Sequence, residues 1–221
     1  MNPASTEKSK RATILGFLCF LSACTPGIRT GVQEPVAPIE PLPIAGIAIM
    51  PVTTEAGSEG LRTGIANTLH QVFEERFPSL IILGPEEAGR KLAQSPAAED
   101  YADLLTDFER TGVVGSDRLS RVTQALGFEY FLQVRGAYEK EDFLDPLLFS
   151  FDEFAKETRQ VLVIVARIWT DRGPGPVWEA VVRTTSETDD FTGGSREVDD
   201  LLRELVEVLA ERLPVTPARG G

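Results

Sequence analysis

The residues with the most definite chemistry are Leu21-Ser22-Ala23-Cys24, which close an apolar run behind a basic start. Together they read as a lipobox: small side chains at Ser22 and Ala23, a Leu three residues before the cysteine, and a thiol that can carry a diacylglyceryl group. Cleavage ahead of Cys24 would free its amine for a further palmitate-type N-acyl chain. Lys8, Lys10 and Arg11 supply the positive region of such a signal, and Ala12 to Leu21 its apolar region. A spanning helix needs about 20 apolar residues, whereas the run from Ala12 to Ala23 has only twelve. An ordinary secretory signal would leave Cys24 as a lone thiol near the new terminus. Cys19 lies inside the apolar run without a Leu three residues before it, and reads as part of the removed signal.

Other side chains point to weaker chemistry. His70 is the only histidine and falls at the flank of a helical apolar stripe, where a partly exposed side chain is expected. With so few imidazoles and thiols no transition-metal site is expected, although carboxylates alone could hold calcium. No Asp-x-Asp-x-Asp-Gly loop is present, and no Gly-x-Ser-x-Gly elbow offers a serine nucleophile. The loop 53–60 (TTEAGSEG) lacks both glycine-rich phosphate fingerprints, and Glu55 and Glu59 would repel a phosphate. Adjacent acids occur at Glu74-Glu75, Glu86-Glu87, Glu99-Asp100, Asp189-Asp190 and Asp199-Asp200. Two converging carboxylates could cleave a cell-wall glycan, but in so acidic a chain such pairs read as solvated surface. No catalytic residue and no cofactor is expected.

Two apolar features are candidates for binding a partner. Trp169 and Trp178 flank one turn, either packing across a hairpin or forming a partner-binding face. The stretch 142–154 interleaves Phe143, Leu144, Leu147, Leu148, Phe149, Phe151 and Phe154 with acids. It belongs to a stretch, 137–157, that reads as a loop and is either a lid over the sheet or an exposed patch docking a protein or the membrane surface.

Composition bounds the rest. The 221 residues carry 22 basic and 34 acidic side chains. Three of those bases and one acid precede Ala23, leaving 19 and 33 over 198 residues, a net charge of −14. Such a chain is repelled by nucleic acid, so no nucleic-acid role is expected. Without Cys19, and with Cys24 acylated, no disulfide can form and stability must come from packing.

Positioning these residues falls to an alternation of strands and helices. Residues 24–43, with five prolines between Pro26 and Pro43, read as an extended tether able to reach about 60 Å at about 3.1 Å per residue. Ile44 to Val52 reads as a strand buried on both faces, and about 59–77 as an amphipathic helix ended by Pro78. A strand follows at 80–83, then helices from Pro85, over 98–111 and over 117–126. Strands are expected at 128–136, 158–170 and 177–187, the last two as an antiparallel hairpin on one edge. A helix over about 195–213 precedes a disordered tail, 214–221. The order gives an α/β layered domain over 44–213, its first three strands parallel through helical crossovers and the sheet mixed.

This arrangement resembles the periplasmic α/β domain shared by the TolB amino-terminal domain, the curli-secretion lipoprotein CsgG and the penicillin-binding-protein activator LpoB. The matching stretches are IAIMP (47–51), LRTGIANTLHQVFEERF (61–77), LIILGPEEAGRKL (80–92), VTQALGFEYFLQVRG (122–136) and VARIWTDRGPGPVWEA (165–180). The resemblance implies a non-enzymatic interaction module of the bacterial envelope, partnered by an envelope protein or by its own copies. With Thr25 rather than Asp after the cysteine, it also implies anchoring at the periplasmic face of the outer membrane. A subunit of a curli-type export or pore-like assembly is the alternative, although the long pore-forming hairpins are not evident.

Overall fold

The computed structural model describes residues 29–36, 41–54, 59–144, 156–188 and 198–217. Within them the chain runs β1 (Arg29–Val36), β2 (Leu42–Ile44), β3 (Gly46–Ile49), β4 (Thr53–Thr54), α1 (Glu59–Arg76), β5 (Ile81–Leu83) and α2 (Pro85–Ala93). It continues through α3 (Ala97–Thr111), α4 (Ser116–Leu126), β6 (Tyr130–Leu144), β7 (Lys156–Trp169), β8 (Trp178–Thr188), α5 (Val198–Arg212) and β9 (Val215–Pro217). The main sheet has the order β1-β8-β7-β6-β3-β5, with β4 also beside β6, while β2 and β9 form a separate parallel pair. As expected, β3 pairs in parallel with both β5 and β6, and β7 and β8 form an antiparallel hairpin; β6 in addition pairs antiparallel with β7. The domain is α/β with a mixed sheet.

Local chemistry explains the helices. Pro85 opens α2, where its missing N–H costs nothing, and Glu86 and Glu87 sit in the first turn against the helix dipole. Both α3 and α4 stop at a left-handed glycine, Gly112 (φ 71°) and Gly127 (φ 77°), which any side chain would strain. Arg121 ties α4 to Asp100 of α3, and its hydrogen bonds hold the Asp100 carboxyl below its ordinary range. Arg118 reaches Asp107 in the same way, and Arg110 and Arg118 together lower the Asp107 carboxyl.

Side chains alternate across the sheet and feed two cores. On the first face Leu132, Val134, Ile164, Ala166, Ile168, Ala180 and Val182 pack against Ile65, Leu69 and Phe73 of α1 and Leu205, Val206 and Leu209 of α5. On the second face Ala48, Met50, Leu83 and Phe131 pack against Leu92 of α2, Leu104 of α3 and Leu119, Val122 and Leu126 of α4.

Four expectations need correction. Residues 29–36, read as tether, form an edge strand antiparallel to β8. Pro35 is tolerated because an edge strand has one unpaired side and the register shifts between Gln33 and Val36. The hairpin is therefore not the sheet edge: β1 lies outside β8. In the supposed tail, Val215–Pro217 pairs with Leu42–Ile44, and the Leu42 amide donates to the Pro214 carbonyl at 2.6 Å. Finally, residues 137–144 and 156–157 are not loop, because β6 and β7 stay in unbroken register out to Leu144 opposite Lys156.

One end of the sheet gathers the start of β1, the end of β6, the start of β7 and the end of β8, as their antiparallel pairing requires. It is called the upper end below, and the β7–β8 turn lies at the lower end.

Candidate functional site

The first face of the sheet is closed by α1 and α5, but the second is covered only in part. Phe131 and Trp169 lie fully buried beneath α2, α3 and α4. Beyond them the same face opens into a groove of about 620 Å³. Its floor is Arg135 and Ala137 of β6, Val163, Val165 and Arg167 of β7, and Glu179 of β8. Its wall is the end of α3, from Phe108 and Glu109 to Gly112.

The charges in the groove are matched in pairs. Arg167 and Glu179 sit directly opposite on adjacent strands, and the Arg167 Nε donates to Glu179 Oε2 at 2.5 Å. Both are largely shielded, at 19% and 15% side-chain exposure, which strengthens a hydrogen-bonded ion pair relative to one in open water. The Arg167 guanidinium also lies 5.0 Å from the Phe108 ring centre, in reach of a cation–π contact. Arg135 donates to Glu109 at 3.2 Å across the mouth. Between these pairs Ala137, Val163 and Val165 leave a half-buried apolar strip.

Aromatic packing supports the floor from below. The Phe108 ring meets Trp169 edge-on at 4.9 Å, Trp169 stacks on Phe131 at 6.2 Å, and Phe131 meets Tyr101 edge-on at 6.3 Å. The Trp169 indole donates to the Gln133 side chain at 3.1 Å within the buried layer. Tyr101 Oη finds no hydrogen-bond partner among the described residues, and burial pushes its phenol well above the ordinary value of 10.0.

The groove thus combines an apolar strip with charges that meet one another. Each groove carboxylate faces a guanidinium: Glu179 that of Arg167, and Glu109 that of Arg135.

The placement of the sequence candidates is uneven. Trp169 and Trp178 are both fully buried, and on opposite faces: Trp169 beneath α3, Trp178 in the core closed by α1 and α5. The partner-facing reading of these two is therefore wrong, because indoles flanking a hairpin turn at positions of opposite parity point into opposite layers. Phe143 and Leu144 lie at the end of β6, paired with Glu157 and Lys156. Leu147, Leu148, Phe149, Phe151 and Phe154 fall outside the described residues, as do Leu21, Ser22, Ala23 and Cys24.

His70 keeps the expected half-exposed place on α1, 3.5 Å from Glu74, with its ring where a side chain on Gly84 would reach. It borders a second hollow of about 370 Å³ at the start of α2, where Glu86 and Glu87 oppose any anion. No group of acids, histidines and cysteines among the described residues is arranged to hold a metal ion. The described acid pairs lie apart on α1, α2, α3 and the first turn of α5, and none lines the groove. No helix among the described residues is long and apolar enough to cross a membrane.

Sequence reasoning missed the groove altogether. The available signal was a charge inside each of two otherwise apolar strands, Arg135 in FLQVRG and Arg167 in VARIW. A charged residue in a strand otherwise buried on both faces marks where one face opens.

No known family matches this chain, and no curated protein matches it. Distant solved structures do. The PelC dodecamer from Paraburkholderia phytofirmans is 13% identical, covering 85% of this chain and 99% of that one, with a TM-score of 0.42. The hypothetical protein CT253 from Chlamydia trachomatis is 12% identical over 77% of this chain and 91% of that one, with a TM-score of 0.42. Lipoprotein GNA1162 from Neisseria meningitidis is 16% identical over 76% and 96%, with a TM-score of 0.38. None of these likenesses assigns a role to a residue of this chain.

Proposed function

We propose that this protein is a lipoprotein of the bacterial envelope, acylated at Cys24 and held at the periplasmic face of the outer membrane. There it acts as a non-enzymatic interaction module. The observation that carries the module reading is the open groove: an apolar strip on an otherwise buried sheet, its charges already neutralised within the chain. An apolar strip left open in this way gains by being covered, and each acid beside it faces a guanidinium. The partner is an envelope protein or a second copy of this chain. The lipobox Leu21-Ser22-Ala23-Cys24 supports the anchor.

A photo-crosslinking residue at Val165, in cells, tests the reading. A discrete protein adduct is expected there and not from the same probe at Arg172, which is exposed in the lower turn. Identical adducts at both positions, or none at Val165, would overturn the groove as a contact. Cys24→Ser should move the protein from the membrane fraction to the soluble periplasm; unchanged fractionation removes the anchor.

A further inference from the structure

The floor of the groove belongs to a wider open face, which the strand registers define. Val165 lies opposite Arg135 on β6 and Val181 on β8, and Val181 lies opposite Gln33 on β1. One row nearer the upper end, Val163 lies opposite Ala137 and Arg183, and Arg183 opposite Gly31. Residues directly opposite on paired strands share a face, so all eight lie on the side that α2, α3 and α4 cover only in part. None of them is buried: Ala137, Val163, Val165 and Val181 are half-buried and the other four exposed.

Charges on this face are matched except at one point. Arg135 and Arg167 meet Glu109 and Glu179. Arg183, just beyond the groove lining, is exposed and meets no carboxylate among the described residues. In a chain of net charge −12, one guanidinium beside an apolar strip thus stays without a counter-charge.

The backbone sets the form of an occupant. β7 is bonded on both sides, to β6 and β8, and β8 on both sides, to β7 and β1. Their N–H and C=O groups are spent within the sheet. An extended peptide laid on this face would find no ladder, and its own backbone groups would lose water without a partner. A helix brings its backbone already satisfied. Size agrees. From β6 to β1 there are three gaps of about 4.8 Å, and from Arg167 to Val163 four rises of about 3.4 Å, so the patch measures about 14 Å each way. One helix is about 10–12 Å across. A second copy fits less well. The patch covers about 200 Å² in plan, against about 800 Å² per partner in a stable interface. Nor does the face hold, among the described residues, an unpaired carboxylate to set against Arg183.

We infer that the occupant of the open face is an amphipathic helix of a partner protein, its apolar stripe on Val163, Val165 and Val181 and a carboxylate beside that stripe paired with Arg183. The inference deepens the groove contact proposed above and rests on it.

Synthetic peptides test the form and the charge of the occupant separately. The first is a labelled helix of about four turns, with a leucine stripe flanked by glutamates. A second carries lysines in place of the glutamates, and a third sets the leucines and glutamates of the first in strict alternation, as for a strand. Binding is read by fluorescence anisotropy on the mature chain carrying Cys24→Ser, free of lipid. The glutamate helix should bind about tenfold more tightly than the alternating peptide. Arg183→Glu should weaken the glutamate helix about tenfold and strengthen the lysine helix, with Arg183→Gln in between. Val165→Ser should weaken both helices. Equal binding of the glutamate helix by Arg183→Glu and by the Arg183 protein overturns the inference, as does tighter binding of the alternating peptide. The photo-probe at Val165 separates this failure from that of the groove. If its cellular adduct persists while the helix fails, the groove contact stands and the helix falls. An adduct of twice the mature mass means a second copy, which also overturns the inference. If adduct and helix binding are both absent, the groove contact falls as well.

Discussion

One sheet carries two unlike faces. On the first, Leu132, Val134, Ile164, Ala166, Ile168, Trp178, Ala180 and Val182 are all essentially excluded from water by α1 and α5. On the second, the strands hold equally apolar residues, yet Val163 and Val165 stay half exposed beside ion pairs because α3 ends short of them. Neighbours in sequence thus differ completely in what they contribute: Ile164 is core and Val165 is surface. Both faces bury a core where helices cover them, and only the strip beside the end of α3 stays open, where the proposed contact lies.

The largest effect should separate those neighbours. Ile164→Ala removes a fully buried side chain and should cost about 2–5 kcal/mol in chemical denaturation. Val165→Ala, one residue on, should stay within about 1 kcal/mol. Equal losses would mean that the groove is packed in solution and the comparison is void.

A smaller effect sharpens the covered half of the second face. Gln133→Leu leaves the Trp169 indole N–H buried without its acceptor, a loss of about 1–3 kcal/mol. Trp178 tells the complementary story: its indole nitrogen has no partner among the described residues. Trp169 is held in one orientation by a hydrogen bond, Trp178 by packing.

The smallest expected change is a gain. Tyr101→Phe deletes a buried hydroxyl that lacks a partner among the described residues, and should be neutral or stabilising by about 1 kcal/mol. The sign with pH follows from burial. The folded protein binds the phenol proton more tightly than the unfolded chain, so stability from this group is complete below the ordinary value of 10.0 and declines as pH rises beyond it. Denaturation midpoints at alkaline pH should fall less steeply in Tyr101→Phe than in the unaltered protein; identical slopes would show that Tyr101 is in contact with water.

Much of the layering was legible in the chain. The stripe of Ile65, Leu69, Val72 and Phe73, the stop at Pro78 and the glycines at 112 and 127 each announce a helix or its end through local sterics. The edge pairings were not legible. Pro35 and Pro43 suppress any local strand signal, and only β8 and β9, far along the chain, supply the partners for β1 and β2. Alternating acids and aromatics after Gly136 likewise looked irregular, although the antiparallel partner at 156–163 makes them strand.

By itself the sequence determined the period of the helices and of the central strands, and the acidic balance of the chain. Those properties depend on residues within a few positions of one another. The tertiary structure alone decided that the two tryptophans serve opposite cores, that Arg167 meets Glu179 beneath an open groove, and that the start of β1 shares an end with the β6–β7 hairpin. Each of these depends on register between distant strands, which is set by the burial of whole faces and by no local preference.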